Sequence, residues 1–316
     1  MSFRIAHLSD PHLPPAPFPG GREWRLKRFL GWVNWNRSRR RIADSAMLAR
    51  LVADLRAQNP DHVAMTGDAV NLALRSEFAS AGEWMRTLGP DVSFTPGNHD
   101  AYVKDALGPL RETFLAWTEG YRFPYLKRRG EVALIGLNSG VPTLPFLATG
   151  RLGERQLDAF RALLGETRGL ARIVMIHHPP MRGGKAPWLR GLDDARAFEA
   201  IIAEAGAEAI LHGHTHRIMA HALASRATRN AAGFVPVLGA PSASARASDT
   251  AHRACYHLID VDKNSAADWR VTWRSRGLVM DADAIGELEP PHISSNPPPV
   301  SRSRPNSRRS QPRNRE

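Results

Sequence analysis

The chain has 316 residues, 42% of them hydrophobic, enough for a large core within one α/β unit. Its lone cysteine, Cys255, excludes an intramolecular disulfide and thiolate zinc-finger chemistry, so any metal has to be held by His, Asp and Asn. The formal charge of +12 is concentrated in residues 22–41, with eight Lys/Arg against Glu23, and residues 301–316, with six Arg against Glu316. The rest of the chain is near neutral, which argues against an extended nucleic-acid channel, and no specific nucleic-acid binding is expected.

In chain order, Phe3 to Leu8 reads as a strand running into Ser9-Asp10-Pro11-His12. No long apolar region precedes it, so a cleaved signal peptide is not expected. No apolar run approaches the roughly 20 residues that span a bilayer. A soluble cytoplasmic protein is the expectation, with peripheral membrane association as an addition to it. A proline-rich stretch leads to a helix over residues 22–36. Its Leu26, Phe29, Leu30 and Val33 share one face, which is expected to point inward. Trp24 and Trp35 then fall opposite, near Arg28. Tryptophan beside arginine on an outward face suits an anionic membrane surface, and a helix clamped between the body and a neighbouring loop is the simpler alternative.

Residues 43–57 form a second amphipathic helix with Met47, Leu48, Leu51, Val52 and Leu55 inward. His62 to Met65 is a strand delivering Gly67-Asp68. A helix capped by Ser76 follows, with Phe78, Ala81, Met85 and Leu88 on one face. Val92 to Thr95 is a strand delivering Gly97-Asn98-His99-Asp100. Helices are expected over 105–117 and 153–164, and after Asp193 or Asp194. Strands are expected at 132–138, at 173–176 before His177-His178, and at 209–211 before Gly213-His214-Thr215-His216. Three further strands are expected near 234–238, 255–260 and 269–273. Residues 288–316 are rich in Pro, Ser, Asn and Arg and too poor in apolar residues to offset the entropy of ordering; they read as a disordered tail after a domain of residues 1–287.

Five stretches thus share one form, an apolar run ending in metal-ligand residue types. Open α/β sheets place their sites at strand C-termini, so the five should converge. Oxygen and imidazole donors without thiolate suit Mn, Fe or Zn. A carboxylate shared by two such ions holds them about 3.5–4 Å apart, where a bridging hydroxide forms near neutral pH and attacks a phosphoryl group.

The ordered blocks Asp10-x-His12, Gly67-Asp68, Gly97-Asn98-His99-Asp100, His177-His178-Pro179 and Gly213-His214-Thr215-His216 resemble the calcineurin-like metallophosphoesterase superfamily, most closely its bacterial branch of class III cyclic-nucleotide phosphodiesterases. The resemblance implies a four-layer α/β/β/α sandwich with a dinuclear site holding two divalent or trivalent ions, and the C-terminal strands fit the family's second sheet. It implies that Asp10, His12 and His216 hold one metal, that Asn98, His177 and His214 hold the other, and that Asp68 bridges. It gives His99 the role of stabilising the phosphoryl charge and protonating the leaving oxygen, with Asp100 orienting it. His178 is expected outside the ligand set, as is Asn71, where many relatives carry an acid. His212, His221, His252 and His257 are expected to be structural or surface histidines. The implied activity is a phosphodiesterase acting on a small phosphodiester such as a cyclic nucleotide. The alternative is a membrane-surface pyrophosphate hydrolase resembling UDP-2,3-diacylglucosamine hydrolases, with the insert at 22–41 serving acyl chains. Retention of every expected ligand together with His99 disfavours a non-catalytic scaffold.

Overall fold

Alternating short buried strands and amphipathic helices build two six-stranded sheets in the computed structural model, which describes residues 2–181, 187–246, 250–265, 268–279, 282–289 and 293. The first half contributes β1 (Phe3–Leu8), α1 (Leu26–Arg37), α2 (Ser45–Ala57), β2 (His62–Met65), α3 (Arg75–Arg86), β3 (Val92–Phe94) and α4 (Leu107–Phe114). The second half runs β4 (Tyr125–Arg129), β5 (Val132–Gly136), α5 (Glu154–Glu166), β6 (Ala171–Met175), α6 (Pro187–Arg190), α7 (Ala195–Ala205), β7 (Ala209–His212), β8 (Met219–Leu223) and β9 (Val235–Gly239). The chain then closes with β10 (Cys255–Lys263), β11 (Trp269–Val279) and β12 (Ala284–Leu288).

The first sheet is ordered β12-β11-β10-β1-β2-β3 and the second β4-β5-β6-β7-β9-β8. Within each, the strands that carry ligand loops are parallel, β1 with β2 and β3, and β5 with β6 and β7. All their C-termini therefore open on one edge of the sandwich. Side chains alternate across each strand. Ala6 and Leu8 pack outward against α2 and α3 with Leu51, Leu55 and Phe78, whereas Ile5 and Ala64 face Leu134, Ile173 and Leu211 of the opposite sheet. Phe160, Phe198 and Ile202 of α5 and α7 cover the far side against Ile135, Val174 and Ile210. The result is the expected four-layer α/β/β/α sandwich. Asp44 accepts from the N–H groups of Ala46 and Met47 and so starts α2 where its apolar periodicity begins.

Two expectations are corrected. Of the C-terminal strands, only β9 joins the second sheet; β10 pairs antiparallel with β1, and β11 and β12 extend the first sheet. The insert helix also buries its Arg28 and Trp35 side more deeply than its apolar stripe, of which Phe29, Leu30 and Val33 are half-buried. Leu26 is 56% exposed, while Arg28 and Trp35 are buried at 1% and 5%. The reason is polar. Beneath α1 lies the loop after β2, whose carbonyls need donors. Arg28 supplies them, donating to the carbonyls of Leu72 (3.0 Å), Ala73 (2.7 Å) and Glu23 (2.9 Å) and pairing with Asp105 (3.0 Å). Trp35 packs beside it on Leu72 and Leu74. Strands β4, β8 and β12 were not foreseen; each lies at a sheet edge, where one flank is open and the apolar alternation is weak. The expected disordered tail lies outside the described residues, apart from residues 288, 289 and 293.

Because Arg28 is enclosed, Arg28→Ala should leave several carbonyls without donors and cost about 2–4 kcal/mol of stability. Thermal unfolding followed by circular dichroism checks this; an unchanged midpoint would show that α1 does not depend on the arginine.

Candidate metal centre

The ligand loops leave their strands through backbone that L-residues adopt only under constraint. Asp10, His12, Asp68, His214 and His216 all have positive φ, between 42° and 69°. What holds them is a mesh of short-range bonds. The N–H of Asp10 donates to Gly67 O (3.0 Å), that of His12 to Asp68 O (3.1 Å) and that of His214 to the Asp10 carboxylate (3.0 Å). Two glycines make room for this crossing. A Cβ at Gly97 would overlap the Asp68 carboxylate, and one at Gly213 would overlap the Ser9 hydroxyl and the Asp10 carboxylate.

The donor atoms fall into two groups that meet at Asp68. On one side His216 Nε2 lies 3.1 Å from Asp10 Oδ1 and 3.1 Å from His12 Nε2. On the other, His214 Nδ1 lies 2.9 Å from Asn98 Oδ1. Asp68 Oδ2 faces both, at 3.8 Å from His12 Nε2 and 3.3 Å from His177 Nε2. Its other oxygen accepts the N–H of His99 at 2.7 Å. Three clusters whose donor atoms lie within 4.8 Å emerge among the described residues: Asp10, His12 and His216; His12, Asp68 and His99; and Asp68, His177 and His214. All seven residues expected to bind metal are thus brought together. His178 is not among them; its ring nitrogens lie 2.8 Å from Ser139 Oγ and 3.2 Å from Ala148 O. His257 is likewise engaged, by Ser275 and the carbonyl of Gly239.

The donor set fits a pair of cations. Asp10 Oδ1, His177 Nε2 and His214 Nε2 are buried atoms without hydrogen-bond partners, an arrangement that costs free energy unless something positive fills it. His177 donates through Nδ1 to Thr66 O at 2.6 Å, and His12 through Nδ1 to Val70 O at 3.3 Å, which turns each Nε2 toward Asp68. Titration behaviour follows from this crowding. Burial opposes charge on His177, yet Asp68 and then Asp10 carry it up to about 10. Burial, then the charge of His177, pushes His214 down to about 3. Asp68 is held well below its usual range: burial acts against this, and the imidazoles of His177 and His99 overcome it.

Asp100 departs from its expected role. Its carboxylate, fully buried, accepts the N–H groups of Asp68 (2.7 Å), Ala69 (2.9 Å), Val70 (3.3 Å) and Gly97 (2.8 Å). His99 is oriented instead by the carbonyl of Asn71, to which its Nδ1–H donates at 2.6 Å, and its ring stacks on Tyr102. Its Nε2 accepts from Arg39 Nη1 at 3.0 Å. Burial, then the Arg39 charge, pushes His99 down to about 4, so it is a neutral acceptor at rest. Asn71 Nδ2 donates to Leu13 O at 2.9 Å. A cavity of about 610 Å³ opens from Asp68, Asn98, His99, His214 and His216 and is walled by Leu30, Trp35, Arg39, Tyr102 and Phe146. Sequence reading missed Arg39 and Tyr102; Arg39 stands in a run of basic residues with no pattern to single it out.

A family profile described as calcineurin-like phosphoesterase matches residues 3–217, the span that holds every candidate ligand above. The chain belongs to the calcineurin-like phosphoesterases. Family members use two metals, and the donor set described here matches that requirement. The chain is 26% identical over 181 residues to 3',5'-cyclic adenosine monophosphate phosphodiesterase CpdA of Haemophilus influenzae, a match covering 56% of this chain and 62% of that relative. Its fold is similar to that of a dimetal phosphatase from Danio rerio (TM-score 0.55, 12% identity, covering 85% of this chain and 98% of that one). It is also similar to that of purple acid phosphatase PPD1 from yellow lupin, Lupinus luteus (TM-score 0.58, 11% identity, 87% and 51%).

Two outcomes are expected. After loading with Mn, elemental analysis should find Asp68→Ala more depleted in metal than Asp10→Ala or His177→Ala, since the Asp68 carboxylate lies between the His12 and His177 sides of the site; equal depletion would contradict a shared carboxylate. Asp100→Asn should lower stability by about 1–3 kcal/mol, because an amide NH₂ replaces one acceptor of backbone N–H groups. Loss of turnover with unchanged stability would instead return Asp100 to the chemistry.

Proposed function

We propose that this phosphoesterase hydrolyses a small phosphodiester, such as a cyclic nucleotide, at a dinuclear metal centre. The observation that carries the reading is Asp68 Oδ2 facing Nε2 of both His12 and His177 at the floor of an open cavity. Asp10, His12 and His216 would hold one ion, Asn98, His177 and His214 the other, and Asp68 both. When bound, such ions polarise a phosphoryl oxygen and make water acidic enough to supply a nucleophile near neutral pH. The chain's own residues do the rest. Val70 and Thr66 carbonyls fix the tautomers of His12 and His177. The Asn71 carbonyl accepts the Nδ1–H of His99 and leaves Nε2 on the cavity side, where it would first have to take up a proton and would then pass it to the leaving oxygen. The similarity to CpdA supports a diester as substrate class.

A second reading has its own observation. Lys27 of α1 ties the insert to the loop of residues 143–147 through the carbonyl and hydroxyl of Thr143, at 3.0 Å and 2.8 Å. Around that tie, Leu26, Leu144 and Phe146 are exposed by 56%, 72% and 84%, and Trp24 by 50%. Phe146 and Leu30 line the cavity itself. An apolar rim flanked by the arginines of 22–41 suits a substrate whose phosphate is attached to acyl chains, presented at an anionic membrane surface. That substrate would be a nucleoside diphosphate-linked lipid cleaved at its pyrophosphate. No helix among the described residues is long and apolar enough to cross a membrane.

Mn-loaded protein should hydrolyse bis-p-nitrophenyl phosphate, and a panel of cyclic AMP, linear dinucleotides and a nucleoside diphosphate-linked lipid should separate the readings. Turnover of cyclic AMP alone supports the first reading; turnover of the lipid alone supports the second. Inactivity on every diester and pyrophosphate would overturn both. If the rim docks on lipid, cosedimentation with phosphatidylglycerol vesicles should weaken in a Leu144→Ser/Phe146→Ser double variant. Binding unchanged in that variant and abolished by salt alone would leave only electrostatic attraction.

A further inference from the structure

The insert does more than roof the cavity, because one of its side chains reaches the ligands. Arg39 begins the 3₁₀ turn that follows α1 and lines the cavity beside Asp68, Asn98, His99, His214 and His216. We propose that Arg39 is a substrate-binding residue, its guanidinium taking a non-bridging oxygen of the phosphoryl group that is hydrolysed. The proposal rests on the phosphoester reading of the site and adds a residue to it from outside the family's ligand blocks.

The first support is the company Arg39 keeps. Several other arginines that reach inward meet a carboxylate: Arg4 meets Asp260, Arg28 meets Asp105, Arg129 meets Asp91, Arg172 meets Glu208 and Arg276 meets Asp54. Arg39 has no carboxylate within ion-pair distance among the described residues. It donates instead to a ring nitrogen, His99 Nε2, at 3.0 Å. A guanidinium has five N–H donors in a planar fork. A half-buried fork with one bond to an imidazole and a cavity in front of it is complementary to an anion. Phosphoryl oxygens match its spacing. The other cations lining the cavity differ. Lys27 is held by Thr143, and Arg190 is exposed.

The second support is how firmly the turn is placed. The N–H groups of Ile42 and Ala43 close it onto the Arg39 carbonyl at 2.9 Å and 3.0 Å. Ala43 bridges to Ala245, Arg246 N–H donates to Ile42 O at 2.7 Å, and Asp44 N–H donates to Ser244 O at 2.9 Å. The same 242–246 segment holds the first ligand loop, through Ser242 Oγ on Asp10 O at 2.6 Å and Ala243 N–H on Ser9 O at 2.9 Å. Arg39 and Asp10 are thus fixed to one support, which is the preorganisation a binding cation needs. When substrate enters, a phosphoryl oxygen replaces His99 as the acceptor for Arg39, and Nε2 of His99 is left facing the substrate.

The test compares metal-loaded wild type, Arg39→Ala, Arg39→Lys and the exposed neighbour variant Arg40→Ala. It uses bis-p-nitrophenyl phosphate turnover, inhibition by inorganic phosphate and calorimetric binding of phosphate. Arg39→Ala should raise KM and weaken phosphate binding by about tenfold or more, equivalent to the loss of one charged hydrogen bond. Metal content and melting temperature should stay at wild-type values. Arg39→Lys should recover part of the loss, and Arg40→Ala should behave as wild type. KM and phosphate affinity within twofold of wild type in Arg39→Ala would overturn the proposal. So would a fall in kcat alone, which would mean that Arg39 acts only through His99. A loss that tracks lowered metal content or stability would assign Arg39 a structural role instead. Calorimetry reads the contact without turnover, so a wild type inactive on this diester counts against the substrate reading and not against Arg39.

Discussion

Four backbone N–H groups, from Asp68, Ala69, Val70 and Gly97, converge on the buried carboxylate of Asp100. This contact sews the loop after β2 to the loop after β3. Through it the chain can keep Asp68 at positive φ with its side chain turned between two histidines. Once that crossing is held, the remaining loops have a fixed edge to pack against. His12 and Asp10 bond to the backbone of residues 67 and 68, His99 to the Asp68 carboxylate and His177 to Thr66. The cost of keeping Asp100 charged inside the protein is real: burial, then the neighbouring Asp68 charge, pushes it up to about 7. Its N–H partners offset part of that cost, and a carboxylate so placed is a clamp rather than a reagent.

Much of this was legible because ligand residues follow apolar runs. Each of the five stretches announces a strand and then interrupts it with residues that make poor strands and good ligands. Of the paired histidines, His177 turns its ring toward Asp68 and His178 is held by Ser139. The role of Asp100 was hidden, because a carboxylate that accepts backbone N–H groups leaves no mark beyond its own letter. The insert misled for a related reason. Periodicity assumes that a helix buries its apolar face, but the loop beneath α1 presents carbonyls, and a buried arginine satisfies them better than leucine does. Edge strands were hard to read because one flank is open and their apolar alternation is weak, and Arg39 because its partner His99 lies 60 residues further on.

The insert therefore has two faces with different work. Its inner side is polar, ordered and joined to the metal-ligand loops through Arg28, Arg39 and the 242–246 segment. Its outer side carries Leu26 and, just before the helix, Trp24, both open to solvent, as are Leu144 and Phe146 in the loop that Lys27 holds. Apolar residues that a soluble helix would bury are thus kept outward by the arginine that occupies the inside.

The placement of β10 bears on when the centre can form. Every proposed ligand has been synthesised once His216 is made, yet β1, which carries Asp10 and His12, has β2 as its only strand neighbour until Cys255–Lys263 arrives on its other flank. The Ser242 and Ala243 contacts to the first ligand loop arrive late as well. A nascent chain that has reached residue 217 holds the full ligand inventory without the support that fixes it. Residues 242–263 accordingly complete the support of the first ligand loop, and a truncation after residue 217 would carry the whole motif set on a first strand flanked on one side alone.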